Sequence, residues 1–265
     1  MGISVGQHGL TVDGETIPIY AGTIHYWRHP PVMWEPLLRS IEALGFHMIE
    51  TYIPWGVHET APRRFDFGQE NPANDLDRFL CLCEQLNLWV CVRPAPVSNA
   101  ELTFWGCPEH VLSDPAVQAR TSQDTPAIVD YPPQPFAVPS YASERFYAYI
   151  AGWFDDLCPR LIPHLYPSGR IIACQVDNEL TYFFRTDAYY LDYHPDAVQQ
   201  YREMLRRDYR TIDALNYAYH SAYADFDQIP PPRGCAAQTA SDLPYYLDWV
   251  RYKEQQLTAA LVRLA

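Results

Sequence analysis

Basic side chains are scarce in this sequence. The 265 residues include 19 Lys and Arg against 32 Asp and Glu, which gives a formal net charge of −13 at pH 7. Binding to nucleic acid or to an anionic membrane needs clustered Lys and Arg side chains that neutralise phosphate groups. The charge balance therefore predicts that neither nucleic acid nor a membrane is a partner.

Long apolar runs and an export signal are also missing. No apolar stretch approaches the ~20 residues that cross a bilayer, and the N-terminal segment MGISVGQHGLTVDGE has no basic region followed by an apolar one. The seven cysteines are odd in number, and we expect them to be free thiols, which persist in a reducing compartment. These features predict a cytoplasmic protein.

Two kinds of ligand-binding motif are missing as well. The sequence has no Gly-rich phosphate loop, which argues against a sugar-phosphate enzyme. Cys81 and Cys83 are two residues apart on a predicted helix and so do not share a face, which suits a metal ion poorly. We therefore expect no metal and no cofactor.

Aromatic residues, in contrast, are plentiful. They make up 14% of the chain, with 20 Tyr and 7 Trp. Such rings either stack on the apolar faces of sugars or pack in the core, and both alternatives are open for Trp27, Trp55 and Trp105. A hydrophobic content of 48% predicts a globular fold. The length fits one α/β barrel as well as two ordinary domains.

Strand and helix patterns alternate along the first two thirds of the chain. We predict strands at 18–26, 47–55, 88–96 and 170–176, and helices at 33–45, 74–87 and 143–162. Residues 97–142 form a Pro-rich connection, and the last part of the chain is predicted to be helical at 194–209, 211–220 and 241–265. This alternation predicts an α/β fold with parallel strands joined by helices.

Each of the four predicted strands ends in polar or aromatic residues. They are His25, Tyr26, Trp27 and Arg28 for the first strand, Glu50, Tyr52, Trp55, His58 and Glu59 for the second, Arg93, Asn99 and Glu101 for the third, and Asn178 and Glu179 for the fourth. The carboxyl ends of parallel strands meet at one edge of the sheet, where α/β proteins bind ligands. The pattern therefore predicts one shared polar pocket.

Several of these polar residues also have structural interpretations. Glu50 is expected to pair with a base such as Arg93 inside the barrel. His25 either forms a hydrogen bond within the barrel mouth or touches a substrate. We expect His58 and Glu59 to anchor loops, and Arg28 to be solvated or to contact a helix.

The neighbouring amide and carboxyl of Asn178 and Glu179 suit glycoside hydrolysis. A carboxylic acid must protonate the leaving oxygen, and a nearby amide can hold the 2-hydroxyl of the sugar. The same dipeptide is equally compatible with a helix N-cap followed by a first-turn acid. Taken alone, the pair leaves both interpretations open.

Four motifs in order resemble glycoside hydrolase family 35, the retaining β-galactosidases with a (β/α)8 barrel. The first, AGTIHYWRHPPVMW, resembles the family's G-x-x-H-Y-x-R-x-P-P-x-x-W, and the second, IETYIPWGVHE, resembles its E-T-Y-x-P-W-x-x-H-E. The third, FDFGQENPANDLDRFLCLCEQLNLWVCVRPAPVSNAE, resembles a run of F-D-F, D-L-x-x-F and R-P-G-P-x-x-N-A-E. The fourth, IIACQVDNE, is similar to the family's Q-V-E-N-E. In residues 194–265, the segments ALNYAY, FDQIPPP and LDWVRYKEQQ are similar to family 42. The resemblance implies the N-terminal part of a TIM barrel, with residues 1–265 as an incomplete glycosidase-type catalytic domain.

The resemblance also implies roles for single residues. Glu179 would be the general acid/base, and Asn178 would hold the sugar's 2-hydroxyl. The terminal sugar would be lined by Tyr52, Asn99, Ala100 and Glu101, with Ala100 contributing backbone groups. The substrate would be a terminal β-galactoside. Departures from the family at Ala95, Val97 and Leu180 concern substrate preference more than reaction type. Asp177 stands in place of the first Glu of the family's Q-V-E-N-E.

A retaining glycosidase needs a second carboxylate, the nucleophile, about 5–5.5 Å from the acid/base. In the resembling families it follows a much later strand, whereas the carboxylates after Glu179 lie on predicted helices or connections. We therefore expect the chain to hold about four barrel strands, to lack the nucleophile and to show no turnover alone. The alternative is a non-catalytic carbohydrate-binding protein. An open sheet edge could also be covered by a second copy, so a homo-oligomer is possible.

Overall fold

The computed structural model describes residues 2–7, 9–180 and 187–265, which fall into two compact units. The first unit comprises Met1–Pro108 and Ala151–Asn178, and the second comprises Glu109–Ile150 and Glu179–Ala265. The prediction that residues 1–265 form one barrel domain stays a prediction.

The strands and helices of the described residues alternate over much of the chain. The strands are β1 (Ile3–Gly6), β2 (Gly9–Val12), β3 (Glu15–Ile17), β4 (Gly22–Thr23), β5 (Met48–Tyr52), β6 (Glu59–Ala61), β7 (Arg64–Phe65), β8 (Trp89–Arg93), β9 (Ile128–Val129), β10 (Phe136–Ala137) and β11 (Ile171–Cys174). The helices are α1 (Trp34–Ala43), α2 (Trp55–His58), α3 (Leu76–Gln85), α4 (Glu109–Leu112), α5 (Glu144–Leu161), α6 (Pro195–Tyr209), α7 (Ile212–Tyr219) and α8 (Leu243–Leu264).

A parallel sheet with the order β11-β8-β5-β4 forms the centre of the first unit. Tyr52 and Arg93, the last residues of β5 and β8, are partners in register. Val92 is the partner of Cys174, the last residue of β11. The carboxyl ends of the strands therefore meet at one edge, which confirms the predicted α/β fold with the first strands of a (β/α)8 barrel.

The helices around this sheet begin and end where the sequence predicts. Asp75 caps α3, because its carboxylate accepts a hydrogen bond of 3.0 Å from the backbone N–H of Arg78. Gly45 follows α1 with a φ of 90°, a conformation that glycine adopts without a steric cost. Ser143 caps α5 by accepting from the backbone N–H of Phe146 at 3.1 Å.

The first predicted strand, 18–26, is much shorter in the structure. Only β4 is extended, and Tyr26–Arg28 forms a 3₁₀ turn. The residues before β4 form strands β1, β2 and β3, which pair as an antiparallel sheet that we did not predict. Asp13 and Gly14, with φ values of 50° and 90°, make the tight turn between β2 and β3.

The antiparallel sheet covers the amino ends of the central strands. Val12 and Ile17 pack with Met48, the first residue of β5, and with Ile172 of β11. This apolar cluster separates the amino ends of the central strands from solvent. The polar pocket expected from the sequence lies at the other end of the same strands.

The second unit is mainly helical. Helices α6, α7 and α8 surround a core that includes Tyr201, Leu215 and Trp249, each with 0% exposure. The three predicted C-terminal helices are therefore confirmed. The Pro-rich connection contains the short elements α4, β9 and β10 in this unit.

Two general expectations concern the described residues as a whole. All seven cysteines are described and are free thiols. Within the described part of the chain, no helix combines the length and the apolar character needed to cross a bilayer. The cytoplasmic location stays a prediction.

Candidate active site

Asn178 lies at the carboxyl end of the central sheet, four residues after β11 ends. Its side-chain Oδ1 accepts a hydrogen bond of 3.0 Å from the Tyr52 hydroxyl and a second from Nη2 of Arg93. Only the oxygen of an amide accepts hydrogen bonds, so these two donors determine which way the amide faces. The structure therefore brings Asn178 and Tyr52 together, as the sequence predicted.

Arg93 connects Asn178 to a carboxylate on the neighbouring strand. Its Nη1 forms an ion pair with Glu50 Oε1, and its guanidinium lies 4.0 Å from the centre of the Tyr52 ring. The two charged side chains are only 14% and 27% exposed. The expected pairing of Glu50 with Arg93 is confirmed. The contact of Arg93 with Asn178 was not predicted.

His25 and Trp27 form an aromatic wall beside Tyr52. Their rings stack with centroids 5.4 Å apart, and His25 lies 5.1 Å from the Tyr52 ring. Trp27 donates from Nε1 to the Tyr52 carbonyl at 3.3 Å. Burial, and next the charge of Arg28, lower the pKa of His25, so its ring is neutral near pH 7. Its buried Nδ1 has no hydrogen-bond partner among the described residues.

Asn99, Ala100 and Glu101 form an unusual turn after β8. Their φ values are 57°, 49° and 51°, so three successive L-residues adopt the left-handed conformation. This conformation costs roughly 1–2 kcal/mol per residue and persists where surrounding contacts hold it. Such strain is concentrated at functional sites in proteins.

Arg28 holds this turn. Its Nη2 donates to the Ala100 carbonyl and lies 3.8 Å from Oε2 of Glu101. The expectation of a solvated Arg28 was therefore incomplete, because the side chain is 37% exposed yet contacts a residue 72 positions away. The Ala100 carbonyl, expected to face the sugar, is used by Arg28. The Glu101 side chain is 79% exposed.

Glu179 follows Asn178 directly and begins the second of the two segments that make up the second unit. Its side chain is exposed, and its φ of 52° is again left-handed. The backbone therefore turns sharply between the buried amide and the exposed carboxyl. Its acid/base role stays a prediction.

His58 and Glu59 are structural anchors, as expected. His58 Nδ1 donates to the Asp66 carbonyl at 2.8 Å, and Nε2 accepts from the Tyr26 hydroxyl at 2.6 Å. Glu59 accepts from Nε1 of Trp55 and from the backbone N–H of Arg63, each at 2.5 Å. These contacts fix the segment that follows β5.

The three tryptophans considered for sugar stacking differ in exposure. Trp55 and Trp105 are buried, at 2% and 3% exposure, which assigns them to the core. Trp27 is half-buried and belongs to the wall next to Tyr52. Of the three, only Trp27 combines partial exposure with a contact to a predicted site residue.

Residues 9–127 match the family model of the glycosyl hydrolases family 35. The chain is 31% identical over 274 residues to an exo-beta-D-glucosaminidase of Pyrococcus horikoshii, covering 100% of this chain and 34% of that protein. It is 33% identical over 194 residues to beta-galactosidase-1-like protein 3 of Rattus norvegicus, covering 73% of this chain and 27% of that protein. The chain thus spans about a third of the length of these relatives.

Solved structures show a similar fold. The beta-galactosidase of the psychrophilic Marinomonas ef1 superposes with a TM-score of 0.70 at 18% identity, over 92% of this chain and 34% of that one. The beta-galactosidase of Halorubrum lacusprofundi gives a TM-score of 0.66 at 20% identity, over the same shares. The resemblance indicated by the four motifs is confirmed: by its sequence, the segment from residue 9 to residue 127 belongs to the glycosyl hydrolases family 35.

Proposed function

We propose that this protein is a retaining exo-glycoside hydrolase that releases terminal β-galactose, with Glu179 as the general acid/base. The observation that supports it most is the orientation of Asn178, whose amide oxygen accepts from both Tyr52 and Arg93. This arrangement turns the amide N–H₂ group away from those two donors. From there it can donate to the 2-hydroxyl of a sugar, a contact that strengthens in the transition state.

The reaction would proceed in two displacements. Glu179 donates its proton to the leaving oxygen while a carboxylate nucleophile attacks the anomeric carbon. Glu179 then takes a proton from the water that releases the sugar from the covalent intermediate. The identity of the nucleophile forms no part of this proposal.

The charges around Asn178 favour a neutral sugar. A glucosaminide carries an ammonium group at the 2-position, whereas a galactoside carries a hydroxyl. The guanidinium of Arg93 contacts the Asn178 side chain directly, and the nearby Glu50 carboxylate is already paired with Arg93. A second cation at this position would be repelled. We therefore favour a galactoside, although the Pyrococcus relative is named as a glucosaminidase.

Nitrophenyl glycosides test the proposed reaction and substrate. In a protein that also carries the nucleophile we expect hydrolysis of the β-galactoside in preference to the β-glucosaminide, whereas residues 1–265 alone should show no turnover. Glu179→Gln should slow substrates with poor leaving groups by about 10²–10⁴-fold and nitrophenyl substrates much less, because a good leaving group needs little protonation. Glu203→Gln, at an exposed glutamate on α6, is the matched control and should retain wild-type rates. Equal losses for both kinds of substrate would contradict the acid role of Glu179.

A non-catalytic carbohydrate-binding protein is the alternative. The Asn178, Tyr52 and Arg93 contacts would orient a sugar whether or not a reaction follows. Titration calorimetry with galactose separates the two functions. Binding without turnover in a protein that carries the nucleophile would support the alternative, and the absence of both binding and turnover there would contradict both proposals.

A further inference from the structure

Cys81, Glu84 and His164 form a cluster in the first unit, away from the polar pocket. Each offers one donor atom, and these three atoms all lie within 4.8 Å of one another. Cys81 and Glu84 share a face of α3 because they are three residues apart. The opposite face, with Leu80 and Cys83, is buried in the core. His164 comes from the 3₁₀ turn Ile162–His164 that follows α5.

Both ring nitrogens of His164 face carboxylates. Nδ1 lies 2.7 Å from Oε1 of Glu84, and Nε2 lies 3.7 Å from Oδ1 of Asp77. The His164 side chain is only 8% exposed, so its ring has little freedom to turn away. Asp77 is itself held by Nη1 of Arg160 at 3.1 Å. A metal-binding histidine in proteins usually donates its second N–H to a carboxylate. Asp77 is the carboxylate beside Nε2 of His164, at a distance longer than a hydrogen bond.

We propose that Cys81, Glu84 and His164 bind a zinc ion, with Nδ1 of His164 as the nitrogen ligand and Asp77 orienting the ring through Nε2. A thiolate, an imidazole and a carboxylate are the three donor types that Zn²⁺ takes in proteins. Ca²⁺ and Mg²⁺ prefer oxygen donors alone, so this set selects against them. Zinc bonds of about 2.0–2.2 Å at a tetrahedral angle hold two ligand atoms roughly 3.3 Å apart. Nδ1 and Oε1 of Glu84, which lie 2.7 Å apart, would therefore separate slightly to admit the ion.

The surroundings leave room for a fourth ligand. Cys81 is exposed to solvent. Glu84 lines a cavity of about 460 Å³ together with Asp13, Trp89, Tyr166 and Arg170. The ion would reach the site from solvent beside the exposed Cys81, and a water molecule from that side would supply the fourth ligand of a tetrahedral site.

The position of the cluster indicates a structural role. Cys81 and Glu84 lie in the last half of α3, just before β8 begins at Trp89, and hence at the amino ends of the central strands. In barrels of this type the amino ends serve stability, whereas the reaction takes place at the carboxyl ends. A zinc ion here would connect α3 to a turn that lies about 80 residues later in the chain. It would stabilise the first unit without touching the sugar pocket.

Cobalt absorption tests the site on the full chain. Co²⁺ replaces Zn²⁺ in such sites, and a coordinated thiolate gives a charge-transfer band in the near ultraviolet. We expect one Co²⁺ per chain with this band and its displacement by Zn²⁺. Cys81→Ser should remove the band, whereas Cys158→Ser, at another exposed thiol of the same unit, should retain it. A band that survives Cys81→Ser, or that Cys158→Ser removes as well, would overturn the proposal.

Two further variants distinguish a zinc site that uses all three side chains from zinc bound by the Cys81 thiol alone. Glu84→Gln should weaken Zn²⁺ binding in a chelator competition, and Asp77→Asn, which removes the carboxylate beside Nε2 of His164 and also the ion pair with Arg160, should weaken it about 10–100-fold. Zn²⁺ should also raise the melting temperature of the wild type but not that of Cys81→Ser. Unchanged zinc affinity in both Glu84→Gln and Asp77→Asn would contradict the assignment. Neither result depends on glycosidase activity.

Discussion

The hydroxyl of Tyr52 donates a hydrogen bond of 3.0 Å to Oδ1 of Asn178, across 126 positions of sequence. Tyr52 ends β5 and Asn178 follows β11, and β8 lies between these two strands in the sheet. The bond therefore crosses the carboxyl-end edge of the central sheet, from the end of β5 past β8 to the segment that follows β11. Together with Arg93 it orients the amide that we assign to the sugar's 2-hydroxyl.

Tyr52→Phe removes the hydroxyl and leaves Arg93 as the donor to Asn178. We expect the free energy of unfolding to fall by about 1 kcal/mol, the usual contribution of one hydrogen bond. Binding of a galactoside should weaken about fivefold, while binding of the 2-deoxygalactoside should change less, because the misoriented amide then has no hydroxyl to hold. Titration calorimetry of both sugars measures this difference. Tyr20→Phe, at a residue that is 62% exposed, is the control.

Arg93→Met breaks two contacts at once, since it leaves Glu50 without this ion-pair partner and Asn178 without one of its donors. Breaking a fully buried pair costs about 3–5 kcal/mol. Because Glu50 is 27% exposed, we expect a smaller loss of about 2 kcal/mol. Denaturant unfolding measures it. Adding Glu50→Gln should recover part of the loss, and strictly additive effects of the two changes would contradict the coupling.

His58 makes the first unit sensitive to acid. Burial lowers its pKa from 6.5 to about 4, so the folded state holds the ring neutral while the unfolded chain takes up a proton at a higher pH. The free energy of unfolding should therefore fall by about 3 kcal/mol as the pH drops from about 6.5 to 4.

Denaturant unfolding across this range checks the acid sensitivity. His58→Gln cannot titrate and should have a flatter pH dependence, although its stability near pH 7 should be lower. Replacement of the exposed His47 is the control and should keep the wild-type slope. An identical slope for His58→Gln would show that other groups cause the acid sensitivity.

Lys253 gives the second unit a pH dependence of the same sign as that of His58, but at higher pH. It is the one lysine of the sequence, and its Nζ donates to the Leu191 carbonyl and lies 4.9 Å from the Trp249 ring centre. Burial lowers its pKa from 10.5 to about 7, although Asp192 acts in the other direction. Between these pH values the unfolded chain binds the proton and the folded chain does not. The contribution of Lys253 to the free energy of unfolding therefore rises as the pH increases from about 7 to 10.5.

The single lysine makes this prediction direct to measure. The ε-carbon resonance of Lys253 should titrate near pH 7 in the folded protein and near 10.5 after denaturation. Lys253→Met should remove the rise in stability above pH 7. A folded-state titration near 10.5 would show that the side chain is solvated.

The elements that local sequence determines were predicted well. Helix α3 begins at the cap Asp75, and α1 is followed by Gly45, because capping and termination depend on residues within one turn. Strands were predicted less well. Residues 18–26 reduce to β4, because strand length depends on pairing with distant segments. The Asp13–Gly14 turn was a signal for the hairpin of β2 and β3 that we overlooked.

Among the contacts at the carboxyl ends of the strands, the Glu50–Arg93 pair was predicted and the contact of Arg93 with Asn178 was not. Tyr52 and Arg93 end adjacent strands in register, so the alternation of side chains already placed them on one face. The turn at Asn99, Ala100 and Glu101 could not be predicted, because no local pattern favours three left-handed L-residues in a row. Arg28 stabilises it from 72 positions away.

Sequence by itself specified the order of the central strands and their helices, the family resemblance and the amide–carboxyl pair at Asn178 and Glu179. Those properties depend on neighbouring residues and on periodic patterns. The partners of Asn178, and the meeting of Cys81 with His164, depend instead on how the sheet and its helices pack. Packing joins residues that are far apart in the chain, and only folding in three dimensions specifies such pairs.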